Sequence, residues 1–507
     1  MTDKPRQALL LQSLQAPLEK NISLFQTLYS TEVNKDPLIR PFECGGVKCC
    51  LIYIQGMAGE QVIDQFVLQP LMRQDLTLSA GTAIDDMRRQ LVTVGELEQS
   101  GQISELNRGV LDGKTLLLAD GCNQGLLLET RRYAHRNVDR TNSESVVMGP
   151  QEGFVENLRT NTTLVRRIIR SESLISEMLT VGKQLPTRVC LMYLDGVARP
   201  EILAELKRRI LSLDVDICPG TGQLMQLIED NPYSLFPQMM ETERPDRSAH
   251  ALTDGQIIVL VDGSPYALIA PITLFHLMHA SDDSFMRWQY GTFVRIIRFM
   301  GLLLSLLLPG AYVALTLFHP HMVPMDLLTS IAETRTDVPF PILVEVLIME
   351  GSFYLINEAG TRIPSLIGPT IGIVGALILG QAAVAASIIS PILIIVVAVT
   401  GLGSYTIPNY GMSVSTQILR LLFILAGALM GIYGIVLGTS VLLCYLCSMR
   451  SLGQPFMAPV APWREHNPDL VARLPLWKQI HALFLAQEKN WLERTRNGMR
   501  GWKRRER

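Results

Sequence analysis

Three long stretches without a charged residue occupy the second half of the chain, and they limit its folds more than any other feature. The stretches are residues 299–318, 363–419 and 421–449, which are 20, 57 and 29 residues long. About 20 apolar residues cross a bilayer as a helix, so the middle stretch suits two spans, with a break at Ser390-Pro391. The sequence therefore predicts an α-helical transmembrane bundle at residues 291–449 with about four spans, near residues 299–318, 366–387, 391–408 and 420–447.

One further apolar segment, residues 338–356, does not fit a simple span. It reads VPFPILVEVLIMEGSFYLI and carries Glu345 and Glu350, which lie about 140° apart around a helix. A carboxylate that faces lipid costs a few kcal/mol. The segment is therefore predicted to be amphipathic or re-entrant, or to be a pore-facing helix that its neighbours shield.

The charges divide the chain into three regions. Residues 1–298 hold 30 Lys/Arg against 36 Asp/Glu, whereas residues 450–507 form a short basic tail with 12 Lys/Arg against 5 acids. Arginines flank the predicted spans at both ends, which places the N-terminal domain and the C-terminal tail in the cytoplasm. The flanking residues are Arg287, Arg295, Arg298, Arg450 and Arg464.

The same charge balance bears on binding partners. A formal net charge of −2 gives no support for nucleic-acid binding. The basic tail is predicted to contact anionic membrane lipid.

The region before the membrane segment contains two pairs of matching peptides. Residues 50–58 read CLIYIQGMA and residues 190–198 read CLMYLDGVA, while residues 113–121 read GKTLLLADG and residues 255–263 read GQIIVLVDG. The first residues of the two peptides lie 63 residues apart in the first half and 65 residues apart in the second half. We therefore predict an α/β soluble region of two duplicated modules, at residues 1–145 and 146–290.

A helical linker is predicted at the start of the second module, and it is rich in arginine. Its four arginines are expected to form a solvated face or to contact a partner or lipid headgroups. They are Arg159, Arg166, Arg167 and Arg170.

Catalytic and metal-binding patterns are missing from the sequence. It holds no P-loop, GxGxxG, nucleophile elbow or HExxH motif. The CxxC pair Cys444 and Cys447 has no second pair or nearby histidine, so packing is the favoured interpretation. The chain is predicted not to be an enzyme, with no catalytic residues, no metal site and no cofactor.

Several longer stretches, in order along residues 145–410, resemble the A subunit of the spore germination nutrient receptor family. One departure is Asp282-Asp283-Ser284-Phe285, where the family usually has an aromatic pair after the acids. The matching stretches are GPQEGFVENLRTNT (149–162), PYSLFPQ (232–238), TERPD (242–246), LVDGSP (260–265), FHP (318–320), VPFP (338–341) with Glu345 and Met349-Glu350, and IGPTIGIVGALILGQAAV (367–384).

The resemblance implies a multi-pass protein of the spore inner membrane that acts with a transporter-like B subunit and a lipoprotein C subunit. It also implies self-association into a homo-oligomer that forms a ligand-gated channel, releasing monovalent cations when a germinant binds the partner subunit. A non-conducting scaffold of the receptor complex and a sporulation-stage paralogue remain as alternatives. A small-solute transporter is less favoured, because the membrane region shows no inverted repeat.

Pore-lining candidates follow from the chemistry of a cation path, which needs negative charge or polar groups at a constriction. These candidates are Glu345, Glu350, Glu358 and Gln381. A structural alternative is that the acids pair with Arg335 or Arg362 beside the membrane. For Gln381, a helix–helix hydrogen bond is an equal alternative.

Overall fold

In its described residues, the first sheet region contains five short helices and five strands. The computed structural model describes residues 3–72, 81–131, 144, 146, 148–362, 380–463, 470–473 and 475. The helices are α1 (Asp3–Leu10), α2 (Leu18–Tyr29), α3 (Glu60–Ile63, continued by a π-helical turn at Asp64–Leu68 and by Gln69–Leu71), α4 (Ala83–Asp86, continued by a π-helical turn at Met87–Leu91) and α5 (Ile103–Leu111). The strands are β1 (Pro37–Cys44), β2 (Val47–Ile54), β3 (Leu97–Ser100), β4 (Thr115–Ala119) and β5 (Gly125–Leu128).

These strands form one antiparallel sheet in the order β1-β2-β4-β5-β3. Strand β2 reads VKCCLIYI, and its last six residues are all buried. Such a run is typical of a strand that is covered on both faces. One face of β2 packs against α3 and α4, and the other packs against α2 and α5.

The second sheet region repeats this architecture. Its sheet has the order β6-β7-β9-β10-β8, which is the same order as in the first sheet. The strands are β6 (Leu174–Val181), β7 (Thr187–Leu194), β8 (Met240–Thr242), β9 (Ile257–Val261) and β10 (Ala267–Ala270). The helices are α6 (Leu158–Ile168), α7 (Pro200–Leu211), α8 (Thr221–Ile228), α9 (Pro245–Thr253), α10 (Leu274–Met278) and α11 (Asp282–Phe285).

Side chain to backbone hydrogen bonds also recur at equivalent places in the two regions. Asn21 accepts from the backbone N–H of Gln15 and donates to its carbonyl, at 3.0 and 2.6 Å. Asn161 does the same with Val155, at 2.8 and 2.5 Å. In both regions an aspartate after the matched strand then accepts from the first residue of the helix, Asp120 from Leu18 and Asp262 from Leu158.

Helix α6 joins the two sheet regions through its arginines. Arg166 donates to the carboxylate of Asp36 at 2.9 and 2.6 Å, and both side chains are 3% exposed. Arg170 pairs with Asp112 at 2.7 Å, also in the first region. Arg166 therefore does not belong to the expected solvated or partner-binding face, whereas Arg170, at 51% exposure, remains partly solvated.

The rest of the described chain is mainly helical. Two of these helices, α12 and α16, are long and apolar enough to cross a membrane by length and composition. The helices are α12 (Trp288–Phe318), α13 (Met325–Thr334), α14 (Ile342–Arg362), α15 (Pro391–Tyr405) and α16 (Tyr410–Ser448). A 3-10 turn (Pro320–Met322) follows α12, and a small hairpin of β11 (Arg450–Ser451) and β12 (Gln454–Pro455) follows α16.

Helix α16 folds back on itself at Gly431. The backbone there has φ 62° and ψ −142°, which interrupts the helix. A Cβ built on Gly438 would lie 3.2 Å from the ring of Phe423, a contact that a straight helix of this length does not allow. Residues 410–430 and 432–448 therefore form two antiparallel arms, where the sequence predicted one span at 420–447.

The helices run in two opposite directions. The start of α12 packs beside the second sheet region through Phe299 and Phe275, and its end reaches the turn at Gly431. Helix α15 runs back toward the sheet region, because Gly403 near its end contacts Gly301 near the start of α12. Helix α14 runs in the same direction, since Glu345 near its start bonds to Ser390 before α15 and Asn357 near its end bonds to Tyr405 at the end of α15. The predicted segment at 338–356 falls largely on α14, and most of the predicted span at 366–387 lies outside the described residues.

Candidate functional site

A buried ion pair lies in the middle of the helical bundle. Glu350 of α14 and Arg420 of the first arm of α16 are in contact, with Arg420 Nη1 at 2.9 and 3.2 Å from the two carboxylate oxygens. Both side chains are 0% exposed. Glu350 and Arg420 each lie on an apolar helix that packs inside the bundle, so both charges are buried there and each is the other's counter-ion.

Four helices meet at this ion pair. Arg420 Nη2 donates to Ser404 Oγ of α15 at 2.7 Å and to Ser305 Oγ of α12 at 3.3 Å. The ring of Tyr354 lies 5.8 Å from the guanidinium carbon, within the range of a cation–π contact. The ion pair thus fastens α12, α14, α15 and α16 to one another.

Glycines allow the backbones to approach closely around this centre. A Cβ on Gly310 would meet the carbonyl oxygen of Phe423 at 2.6 Å, and one on Gly403 would meet the carbonyl oxygen of Gly301 at 2.6 Å. Small residues at helix contacts are typical of packing in membranes. They bring α12 near enough to α15 and α16 for its serine to reach Arg420.

Glu345 is also held inside the chain. Its carboxylate accepts from Arg335 at 2.8 Å and from the backbone N–H of Ser390 at 3.2 Å, and its side chain is 1% exposed. The pairing with Arg335 is the structural alternative that the sequence offered for this acid. Arg420, in contrast, was not identified as the partner of Glu350, because 70 residues separate the two.

The other two pore candidates lie at the surface of the single chain. Glu358 is near the C-terminal end of α14, and Gln381 lies in the helical segment that precedes α15; both are exposed. Glu358 is one residue after Asn357, which accepts a hydrogen bond from Tyr405 at 3.2 Å. The structure thus separates the four candidates into two buried carboxylates and two exposed polar side chains.

A second charged cluster lies where the second sheet region meets α12. Asp283 accepts from Arg295 at 3.0 Å and from Arg298 at 2.7 Å, and the carboxylate is 2% exposed. Burial raises the pKa of Asp283, but the two guanidinium groups outweigh it and hold the pKa below its ordinary value. Two of the arginines that indicated a cytoplasmic flank are therefore also structural.

Among the described residues, no group of three or more His, Cys, Asp or Glu side chains is arranged to hold a metal ion. Cys444 and Cys447 are exposed on the second arm of α16, and the other six cysteines are buried. The chemistry that the site offers is therefore charge pairing inside an apolar bundle.

Fold and site together define the class of protein: two antiparallel sheet regions joined to an apolar helical bundle with a charge-paired centre. A sequence model of the Bacillus/Clostridium GerA spore germination protein family matches residues 24–482. The chain therefore belongs to this family, that of the A subunits of spore germination receptors. Such membership implies a multi-subunit receptor complex, and the homologues are membrane-associated proteins with a non-enzymatic role.

Two relatives, compared by sequence, agree with this assignment. Spore germination protein KA of Bacillus subtilis (strain 168) is 36% identical over 464 residues, covering 91% of this chain and 85% of the relative. Uncharacterized membrane protein YfkQ of the same organism is 35% identical over 452 residues, covering 88% and 87%. The crystal structure of the N-terminal domain of the A subunit of the Bacillus megaterium spore germinant receptor GerK3 is 28% identical, with a TM-score of 0.41, and covers 52% of this chain and 97% of that one.

Proposed function

We propose that this chain is the A subunit of a nutrient receptor of the spore inner membrane and that its copies assemble into a ligand-gated channel. In this proposal a germinant binds a transporter-like B subunit, a lipoprotein C subunit completes the complex, and the channel releases monovalent cations. The sequence features of the family and the exposed apolar faces of α12 and α16 support it.

The observation that carries the proposal is the closed interior of the single bundle. Glu350 and Arg420 fill its centre as a fully buried pair, so the helices that the structure describes offer no charged path through the middle of a single chain. An ion path would then lie between copies of the chain, lined by groups that a single copy exposes. Glu358 and Gln381 are the pore candidates that meet this condition, while Glu345 and Glu350 hold the bundle together.

The helix directions support the proposed membrane topology. The start of α12 and the end of the second arm of α16 both pack near the second sheet region, as Phe299 and Leu446 join one apolar cluster. Both ends of the bundle thus lie on the side of the soluble modules. This supports a multi-pass arrangement in which the soluble modules and the basic tail are cytoplasmic.

The soluble part of this receptor would consist of two copies of one ancestral module. The shared strand order and the repeated Asn21 and Asn161 hydrogen bonds support this duplication. The basic tail at residues 450–507 would contact anionic lipid beside the modules.

Cation release from spores tests the channel. Spores carrying Glu358→Gln or Gln381→Leu should release potassium more slowly after nutrient addition than the parent, at equal receptor level. Glu333→Gln, which neutralises an exposed acid on α13, is the matched control and should behave like the parent. Parental release rates in both pore variants would contradict the proposed lining.

The non-conducting scaffold is the second candidate, and the charge-paired interior favours it as well. A scaffold predicts that no single polar substitution on the exposed surface changes release unless the receptor complex is lost. A sporulation-stage paralogue predicts instead that spores without this chain germinate normally with nutrient. Deleting the gene and measuring potassium release separates the paralogue from both other candidates.

A further inference from the structure

An apolar groove lies between the two arms of α16, at the end of the bundle that meets the second sheet region. It encloses about 460 Å³, a volume typical of ligand pockets. Every residue that lines it is glycine, apolar or aromatic, and those of the arms fall between Leu419 and Ala426 and between Gly438 and Tyr445. At the rise of an α-helix, the groove therefore runs about 10 Å along each arm.

A loop of the second sheet region closes one end of this groove. Three residues of the segment 233–236, between α8 and β8, form this wall. The Gln238 side chain donates to the carbonyl of Asn231 at 2.6 Å and accepts from its backbone N–H at 3.0 Å, which holds the two ends of the loop together. Ser415 Oγ of α16 donates to the carbonyl of Leu235 and fastens the loop to the bundle. The groove is thus shared by the second sheet region and α16.

The open side of the groove faces the surroundings of the bundle. Its rim residues Leu422 and Val441 are 55% and 62% exposed, on a helix that is long and apolar enough to cross a membrane. Tyr233 is 94% exposed although its loop is fixed, and tyrosine is enriched where a membrane meets water. The groove is therefore continuous with the surface that α16 would expose to lipid, and hydrocarbon that enters it restores contacts that an empty groove lacks.

Positive charge lies beside the closed end of the groove. Ser234 Oγ is 3.8 Å from Met449 Sδ, and the exposed Arg450 follows directly in the chain. Asp230, which precedes the loop, is already paired with Arg209. An anionic group that lies above the groove would therefore be close to a positive side chain.

We propose that this groove binds one acyl chain of an anionic membrane phospholipid, with the head group beside Arg450 and Tyr233. The chain would contact walls from both the loop and α16, so the lipid would join the second sheet region to the bundle. The site goes beyond the proposed function and does not depend on ion conduction. The competing occupant is a second copy of this chain.

Photolabelling locates the acyl chain. The full-length protein is placed in vesicles of phosphatidylethanolamine and phosphatidylglycerol that contain a phosphatidylglycerol with a diazirine on one acyl chain, and labelled residues are identified by mass spectrometry. Phe423 lines the groove but is only 4% exposed, whereas Val436 is 60% exposed and lies outside the groove. Phe423 should be labelled at least as strongly as Val436. Labelling that follows exposure alone, with Phe423 weakly labelled, would overturn the site.

A matched pair of substitutions blocks the groove or leaves it open. Val441 and Val436 lie on the same arm with 62% and 60% exposure, but only Val441 lines the groove. Val441→Trp should lower the labelling of Phe423 about fivefold or more, because the indole and the acyl chain compete for one space. Val436→Trp should leave it at the parental value, and equal labelling in both variants would contradict the proposal.

Arg450→Gln tests the head group without changing the apolar walls. The parent should label about fivefold more with the phosphatidylglycerol probe than with a phosphatidylcholine probe that carries the same chain. This preference should disappear in Arg450→Gln and persist in Arg287→Gln, which removes an exposed arginine before α12. If Val441→Trp accumulates poorly, this comparison decides, and an unchanged preference in Arg450→Gln would overturn the site as proposed.

A second copy in the groove would give a different result. Phe423 would then be unlabelled in the parent, and Val441→Trp would convert an oligomer to a monomer in size-exclusion chromatography. That outcome would overturn the lipid site. Labelling needs no nutrient, so its failure is distinguishable from failure of the potassium-release test of the proposed function.

Discussion

Removing one partner of the buried ion pair should destabilise the bundle far more than removing both. In Arg420→Met the carboxylate of Glu350 loses both contacts with Nη1, at 2.9 and 3.2 Å, and stays fully buried. Breaking a buried pair in this way costs about 3–5 kcal/mol. Ser305 and Ser404 also lose the donor that links them to α16.

A double-mutant cycle measures this coupling. Glu350→Leu and Arg420→Met should each lower the free energy of unfolding by about 3–5 kcal/mol, which corresponds to roughly 10 °C in the melting temperature of a domain of this size. The double variant should lose about 2 kcal/mol or less, since apolar replacement of a buried pair is often tolerated. The assay is thermal unfolding of the detergent-purified protein, followed by intrinsic fluorescence. Additive losses in the double variant would refute the reasoning, because they would mean that the two charges do not stabilise each other.

Three further predictions concern other parts of the chain. Gly431→Ala should lower the free energy of unfolding by more than about 2 kcal/mol, because φ at this position is 62° and a Cβ would lie 2.8 Å from the ring of His319. Gly453→Ala, where φ is also positive but no atom is near, should lower it by only about 1 kcal/mol in the same thermal assay. Burial, followed by nearby positive groups, lowers the pKa of His276 to about 3. As the pH falls below about 6.5, His276 therefore becomes protonated in the unfolded chain but stays neutral in the folded protein. Thermal unfolding at pH 7 and pH 5 should therefore show a loss of at most about 2 kcal/mol that is absent in His276→Gln. Arg166→Met breaks the ion pair with Asp36, in which both side chains are 3% exposed, and should lower the free energy of unfolding by about 3–5 kcal/mol in a denaturant titration. Arg170→Met removes a side chain that is 51% exposed and should lower it by less than about 1 kcal/mol. Equal losses in the two variants would contradict the buried interface.

The sequence contained enough information to predict the family and the presence of two strand-forming peptides in each of the two sheet regions. The family match over residues 24–482 confirms the resemblance. The matched peptides fall on β2 and β4 and on β7 and β9, which occupy the same places in two sheets of the same order. Local patterns of apolar residues and glycine were sufficient here because a strand and its turn are encoded within about ten residues.

The ion pair inside the bundle could not be predicted from the sequence. Arg420 interrupts an otherwise uncharged region, and nothing in its neighbourhood indicates that Glu350, 70 residues earlier, is its partner. The fold-back of α16 was missed for a related reason, since glycine is common in apolar helices and Gly431 carries no special local signal. In both places the decisive contact is between segments that only the packed bundle brings together.

The fold-back at Gly431 also affects the order in which the protein is completed. The second arm returns the chain to the second sheet region, where Ser451 Oγ accepts from the backbone N–H of Ile272, 179 residues earlier, and donates to the carbonyl of Gln238. Leu452 then joins the apolar core of that sheet. At typical rates of synthesis the ribosome needs roughly ten to forty seconds to make the intervening chain. The second sheet region therefore cannot complete its core until the second arm of α16 has been made, so a complete core indicates that the whole helical bundle has been synthesised.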